Sequence, residues 1–200
     1  MPARNQKDID PLLSAARDVF HEQGYAAATL ELVAARSKVS LKSIQHDYPD
    51  KSQLLAALLA AYSPLDDVLA ALEQAEGDTA EDLIRSAFRA MVETAEKHDD
   101  FWELAALDMQ ATNGSYLTSL GTQVALKSRG LLERIKATGE LRPVSDLILA
   151  RTLVSLLIGF VLSERAVPRV ARTALRFFPQ RAWVDGAVDL ILYGVLEDHA

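Results

Sequence analysis

The first fifty residues alternate between short stretches of helical periodicity and residues that stop helices, and this pattern most restricts how the chain can fold. Apolar residues recur every three or four positions from Ile9 to Phe20, which is the spacing of an amphipathic helix. Gly24 then follows as a helix-ending residue. Thr29 and Ser40 each stand where a side-chain oxygen can cap a further short helix. The sequence therefore predicts three helices within about forty residues.

The second and third of these helices are separated only by a short turn at Ser37-Lys38-Val39. Two short helices joined by a tight turn, with another helix before them, form a helix-turn-helix, and its last helix enters the DNA major groove. That helix would run from Ser40 to Asp47. Its polar side chains can all form hydrogen bonds: Gln45 suits adenine, and Lys42 suits guanine or phosphate. The pattern indicates a DNA-binding segment.

The remainder of the chain is rich in Ala and Leu at helical spacing, and no alternating strand pattern of useful length is found. Tyr48-Pro49 breaks the chain, Asp50 caps a fourth helix, and that helix is expected to bend or end at Ser63-Pro64. Further helices are predicted over residues 79–97, 101–111, 115–137, 143–164 and 181–197. The predicted fold is all-α with about nine helices. Residues 1–50 form a three-helix DNA-binding domain, and residues 51–200 a helical ligand-binding and dimerisation domain.

Charge and composition restrict the function further. The net charge is -7, but residues 1–55 hold equal numbers of basic and acidic residues, so the excess of acid lies in the body. This distribution permits DNA binding through the N-terminal head. Cysteine is absent, and catalytic or phosphate-cradling motifs are not found, so we expect no enzyme, no metal and no cofactor. The apolar run Leu153–Leu162 is shorter than the ~20 residues of a membrane span. We expect a cytoplasmic protein that does not bind membranes.

Residues 12–55 resemble the DNA-binding domain of the TetR family of transcriptional regulators. The matching positions keep their order and spacing without a gap: Ala15-Ala16, Phe20, Gly24-Tyr25, Thr29, Val33-Ala34, Val39-Ser40, Tyr48, Lys51 and Leu54-Leu55. The family usually has glycine in the turn where Lys38 stands, so Lys38 is expected to adopt a left-handed backbone. The rest of the chain matches the family only in length and helical character.

The resemblance implies a ligand-responsive repressor that binds double-stranded DNA as a homodimer, on a near-palindromic operator, and responds to a small hydrophobic effector. It assigns Lys51 to a phosphate contact, and Thr29 to a phosphate as well as to a helix cap. The candidate DNA-binding residues are Thr29, Ser40, Lys42, Ser43, Gln45, His46, Tyr48 and Lys51.

Two further sets of candidates lie in the body. Aromatic and Met residues at helical spacing are candidates to line an effector cavity, although core packing is their usual role: Phe88, Met91, Phe101, Trp102, Met109 and Tyr116. The last two helices are apolar on more than one face, which favours a dimer interface over burial in one subunit. The candidate interface residues are Leu153, Leu157, Phe160, Val161, Val184, Val188, Ile191 and Val195.

One alternative function stays open. The family usually has Tyr where Gln45 stands and often His where Asp47 stands, and a carboxylate facing phosphate would be repelled. The chain could therefore be a TetR-like helical protein that carries a lipid or another hydrophobic small molecule without binding DNA.

Overall fold

The computed structural model describes residues 10–141, 145–166 and 179–193. They form eleven helices, and no strand occurs among them, so the all-α prediction is confirmed. The helices are α1 (Pro11–Ala27), α2 (Leu30–Ser37), α3 (Leu41–Asp47), α4 (Lys51–Ala61), α5 (Leu65–Glu73), α6 (Ala80–Glu96), α7 (Asp99–Thr112), α8 (Ser115–Lys127), α9 (Arg129–Ala137), α10 (Asp146–Ala166) and α11 (Gln180–Tyr193).

The structure shows two breaks along the predicted helices, the first of them at the expected bend or end near Ser63-Pro64. Helix α4 ends at Ala61, and α5 begins after Ser63-Pro64 as a separate helix. The segment predicted over residues 115–137 breaks at Ser128, whose hydroxyl donates to the Ala125 carbonyl at 3.2 Å. Gly130 follows this break, and glycine is a poor helix former. These two breaks raise the number of helices above the nine expected.

The chain folds into two compact units that each combine two stretches of sequence. Among the described residues, the first unit contains residues 10–64 and 98–120, and the second contains residues 65–97, 121–141, 145–166 and 179–193. In the first unit, α1 packs on α2, α4 and α7, and α4 packs on α7. Side chains from four of its helices are almost fully buried, among them Phe20, Ile44, Leu58 and Phe101. The core of this unit therefore supports the predicted DNA-binding helices from behind.

Helix α6 is the central element of the second unit, because α5, α9, α10 and α11 all pack against it. Its apolar face buries Ile84, Phe88 and Met91. Another stripe forms ion pairs with α11: Arg85 Nη2 lies 2.6 Å from Asp189 Oδ1, and Arg89 Nη2 lies 2.6 Å from Asp185 Oδ1. Hydrogen bonds that the Arg85 guanidinium donates to the Asp189 and Glu81 carboxylates raise its pKa. Helix α11 is thus held to α6 by paired charges.

The buried carboxylate of Asp108 fixes the start of α8. Asp108 is 2% exposed, and its Oδ2 accepts hydrogen bonds from the backbone N–H groups of Tyr116 (3.0 Å) and Leu117 (3.3 Å). Its Oδ1 accepts from the hydroxyl of Thr112. A carboxylate on α7 therefore occupies the positive N-terminal end of α8, where anions are favoured. Helical periodicity in the sequence does not predict this contact.

Two segments in the described part of the chain are long and apolar enough to cross a membrane by length and composition, namely Lys51–Glu73 and Asp146–Ser163. The second contains the apolar run Leu153–Leu162 and is longer than the sequence analysis expected. The first includes Pro64, which separates α4 from α5. Core helices of water-soluble proteins meet the same criteria, so this finding is weak evidence for a membrane span.

Candidate nucleic-acid interface

A left-handed residue makes the turn between α2 and α3. Lys38 has φ 61° and ψ 17°, and its backbone N–H donates to the Ala34 carbonyl at 3.0 Å. This is the geometry that glycine usually supplies at the end of a helix. Ser37 Oγ accepts from the backbone N–H of Val39 at 3.3 Å and tightens the same turn. The expected left-handed backbone at Lys38 is confirmed.

Helix α3 has one buried side chain and an exposed polar face. Ile44 is fully buried, and Ser40 caps the helix by accepting from the Ser43 backbone N–H at 3.1 Å. Tyr48, which follows the helix, is half-buried. The structure brings the predicted DNA-binding residues of this helix together on the exposed side: Lys42, Ser43, Gln45 and His46, with Ser40 at the start and Asp47 at the end. The helix thus presents several hydrogen-bonding side chains within two turns.

The Thr29 side chain is used within the protein. Its Oγ1 accepts from the Leu32 backbone N–H at 3.3 Å, so the predicted cap of α2 is present. Hydrogen bonds from the Glu31 backbone N–H and from the Thr29 side chain hold the pKa of the Glu31 carboxyl below its usual value. The predicted phosphate contact of Thr29 stays a prediction.

The structure gives Lys51 a different set of partners from the predicted phosphate. Its Nζ donates to the backbone carbonyls of Tyr25 (2.7 Å), Ala26 (3.1 Å) and Ala28 (3.3 Å). An ammonium group has three donors, and all three are directed at the chain itself. A phosphate contact would require the group to leave these acceptors.

Other cations of the first unit are also paired inside it. Arg36 forms a two-pronged contact with Glu22, with both N–O distances at 2.7 Å, and so joins α2 to α1. Arg17 on α1 lies 3.1 Å from Asp100 on α7, and its guanidinium lies 5.7 Å from the centre of the Tyr62 ring. The cations that are exposed on the turn and on α3 are Lys38 and Lys42.

The six residues predicted to line an effector cavity fall into two groups. Phe88 and Met91 line a cavity of about 30 Å³ inside the second unit. Its lining is almost entirely apolar, with Ser128 the polar member: Leu72, Ile84, Ala87, Val124, Leu131, Leu132, Ile135, Ala150, Leu153 and Val154 complete it. This small cavity is the candidate effector site of that unit.

The other four residues belong to the first unit, because α7 and the start of α8 fold there and not with α6. Phe101 packs against Trp102 and Tyr116, with ring centres 5.3 and 6.3 Å apart. Met109 is exposed on α7. Tyr116 also lines an open groove of about 350 Å³ beside Ser52 on α4, which sequence periodicity could not reveal. These residues do not share the apolar cavity with Phe88.

Burial revises the predicted dimer interface. Five of the eight residues are packed inside the chain itself and leave little surface for a partner: Leu153, Leu157, Val161, Val184 and Val188. The half-buried ring of Phe160 packs edge-on against Phe88, with ring centres 6.1 Å apart. The side chain of Ile191 and all of Val195 lie outside the described residues. Other apolar residues on the same helices are exposed, and Leu190 is 56% exposed.

The fold and the turn at Lys38 define a class of protein, an all-helical protein with a helix-turn-helix. The model of the tetR family of bacterial regulatory proteins matches residues 12–58. Residues 12–58 are therefore similar to the N-terminal segment of the TetR family of regulatory proteins. No curated protein sequence matches the chain.

Solved structures of regulators share the fold over nearly the whole chain. A TetR-family transcriptional regulator from Pectobacterium atrosepticum has a TM-score of 0.68 at 22% identity, covering 92% of each chain. A fatty acid metabolism regulator of Clostridium perfringens has a TM-score of 0.65 at 18% identity, covering 94% of this chain and 100% of its own. The TetR-family regulator PfmR from Thermus thermophilus has a TM-score of 0.63 at 20% identity, covering 98% and 100%.

The turn at Lys38 gives a direct test of the helix-turn-helix geometry. A non-glycine residue in the left-handed region costs roughly 1–2 kcal/mol, so Lys38→Gly should stabilise the first unit, by about 1 kcal/mol after the entropy cost of glycine. Lys38→Ala removes the same side chain but keeps Cβ, so it should not stabilise. Thermal unfolding followed by circular dichroism measures both variants. Equal stability of the two variants would contradict the left-handed turn.

Proposed function

We propose that the protein is a transcriptional repressor that binds an operator as a homodimer in the cytoplasm and leaves it when a small apolar effector binds. The observation that carries this proposal is the exposed polar face of α3, which is fixed by the buried Ile44 and by the turn at Lys38. A short helix of this kind, presented by a tight turn, fits the major groove. The matching family model over residues 12–58 supports the same role.

Different residues of α3 are suited to contacts with bases and with phosphates. Lys42 and Gln45 lie one turn apart and can reach base edges, whereas the hydroxyls of Ser40 and Ser43 suit phosphate oxygens. Asp47 carries a negative charge at the end of the same helix and opposes binding to phosphate. Because Arg17 and Arg36 are paired internally, we infer modest affinity for random DNA and a larger role for base contacts.

The first test changes the side chains proposed to read the bases. Lys42→Ala and Gln45→Ala should each change which sequences are preferred and cost about 1–3 kcal/mol of discrimination at one base pair. Lys97→Met, a charge change on an exposed residue at the end of α6, is the matched control and should keep the preference. Selection from random duplexes measures all three. If the wild type selects no sequence and still binds apolar molecules, the carrier function is the better one.

The proposed effector site is the apolar cavity behind Phe88 and Met91. About 30 Å³ holds only one or two water molecules, whereas ligand pockets have roughly 300 Å³ or more. An effector must therefore push apart the packing of this unit. A ligand shifts an equilibrium only through different affinity for the two states. Binding to the opened state and not to the closed one would supply that difference, and α4, which begins beside α3, would move in response.

Filling the cavity should prevent effector binding without changing operator binding. Ala150 is buried in the cavity wall, so Ala150→Val should block apolar effectors while operator affinity stays unchanged. Binding of 1-decanol, decanoate and toluene, measured by calorimetry with and without operator, is the readout. In the wild type, operator should weaken binding of an active probe by the same factor by which the probe weakens operator binding. Equal probe affinity in wild type and variant would place the site elsewhere.

The proposed dimer interface is the exposed stripe of α11. Trp183, Ala187 and Leu190 follow one another at helical spacing, and Trp183 and Leu190 are 41% and 56% exposed. Val184 and Val188 form the neighbouring stripe, which is buried within the subunit. An apolar stripe on a helix that is already packed on its other side indicates a further partner. A two-fold dimer that reads successive major grooves needs its two α3 helices about one DNA turn, ~34 Å, or a multiple of it apart.

Leu190→Glu tests this interface. Since Leu190 is exposed in the subunit, the variant should fold normally, but it should be monomeric and bind operator poorly because a carboxylate would be buried at the seam. Leu126→Glu, at a residue that is 71% exposed on α8, is the control and should stay dimeric. Light scattering gives the mass of each variant. A dimeric Leu190→Glu protein would show that α11 does not form the interface.

A further inference from the structure

The connection between α1 and α2 is held by one side chain from α4. Gly24, with φ 69° and ψ 166°, breaks the helical path of α1. The next residues lead to Thr29, the cap of α2. Lys51 Nζ donates to three carbonyl oxygens of this connection, those of Tyr25, Ala26 and Ala28. We call Lys51 and these three carbonyl groups the Lys51 tether.

The ring of Tyr25 strengthens the tether and joins it to the core. Lys51 Nζ lies 4.5 Å from the centre of this ring, within the range of a cation–π contact. Phe20, which is buried, stacks on the Tyr25 ring with centres 5.9 Å apart. Carbonyl oxygens at the end of a helix carry partial negative charge and lack partners within the helix. The ammonium group of a lysine can donate hydrogen bonds to several such carbonyl oxygens where they converge on one point.

We propose that Lys51 is a positioning residue for DNA recognition and not a phosphate ligand. By holding the α1–α2 connection at the first residue of α4, it sets where α2 begins and therefore how α3 is presented. This inference rests on the proposed DNA-binding function. The Lys51 tether would also couple a movement of α4 to α3. The start of α4 cannot shift without either breaking the tether or displacing the α1–α2 connection.

Operator selectivity distinguishes a positioning residue from a phosphate ligand. Lys51→Met keeps much of the length of the side chain and loses its donors. If Lys51 positions α3, operator affinity falls roughly tenfold, the order expected for a lost charged hydrogen bond, while affinity for random duplex changes little. If Lys51 contacts phosphate, both affinities fall equally and the slope of log affinity against log salt drops by about 0.9. Lys97→Met carries the same charge change and should leave both affinities unaltered.

Lys51→Arg is the second DNA-binding variant. It keeps the charge, so a phosphate contact would survive. The donors of a planar guanidinium are spread over several nitrogen atoms, so they cannot replace a single ammonium nitrogen at the point where the three carbonyl oxygens converge. The tether therefore predicts that the preference for operator over random duplex still falls. Wild-type preference in Lys51→Arg would overturn the proposal, as would an equal loss on both duplexes in Lys51→Met.

Hydrogen exchange of the free protein tests the tether without DNA. The backbone amides of residues 25–30 should exchange at least several-fold faster in Lys51→Met than in wild type, while Lys97→Met should match the wild type. Unchanged exchange in Lys51→Met would overturn the tether whatever the DNA results are. If the wild type binds no duplex, the proposed function fails and the exchange result still decides whether the tether exists.

Discussion

The whole candidate interface depends on how a helix of seven residues is held in place. An isolated helix of this length is not stable in water, and α3 has a single buried side chain, Ile44. Its orientation must therefore come from its two ends. At one end the left-handed Lys38 and the cap Ser40 fix its direction. At the other, the break at Pro49 leads into α4, whose cap Asp50 accepts from the backbone N–H groups of Ser52 and Gln53.

Internal pairing explains how a head with no net charge can still be built for DNA. Arg17, Arg36 and Lys51 hold α1, α2, α4 and α7 to one another through carboxylates, a ring or carbonyl groups. Their charges serve the architecture of the first unit. The exposed cations of the turn and of α3 are then few, so the proposed DNA recognition depends on where those few are placed. In the proposed function, the presentation of α3 therefore has more influence than the total charge of the head.

Local signals in the sequence predicted local structure well. Thr29, Ser40 and Asp50 were predicted as caps from their side-chain oxygens, and each accepts a hydrogen bond from the start of its helix. Long-range partners could not be predicted in this way. Phe88 and Phe101 both lie at helical spacing in the sequence, so the pattern does not distinguish them, yet they lie in different units.

The same limit applies where a residue's role depends on a distant segment. Asp108 caps a helix that begins seven residues later, and Lys51 meets carbonyls more than twenty residues earlier. Both stripes of α11 are apolar, so only the position of α6 shows which one is buried.

The two faces of α6 separate the proposed dimerisation from the proposed effector binding. Arg85 and Arg89 pair with α11, whereas Ile84 and Phe88 line the cavity. Since α11 contributes no residue to the described part of that lining, the proposed effector could open the cavity while the ion pairs keep α11, and the proposed dimer, in place.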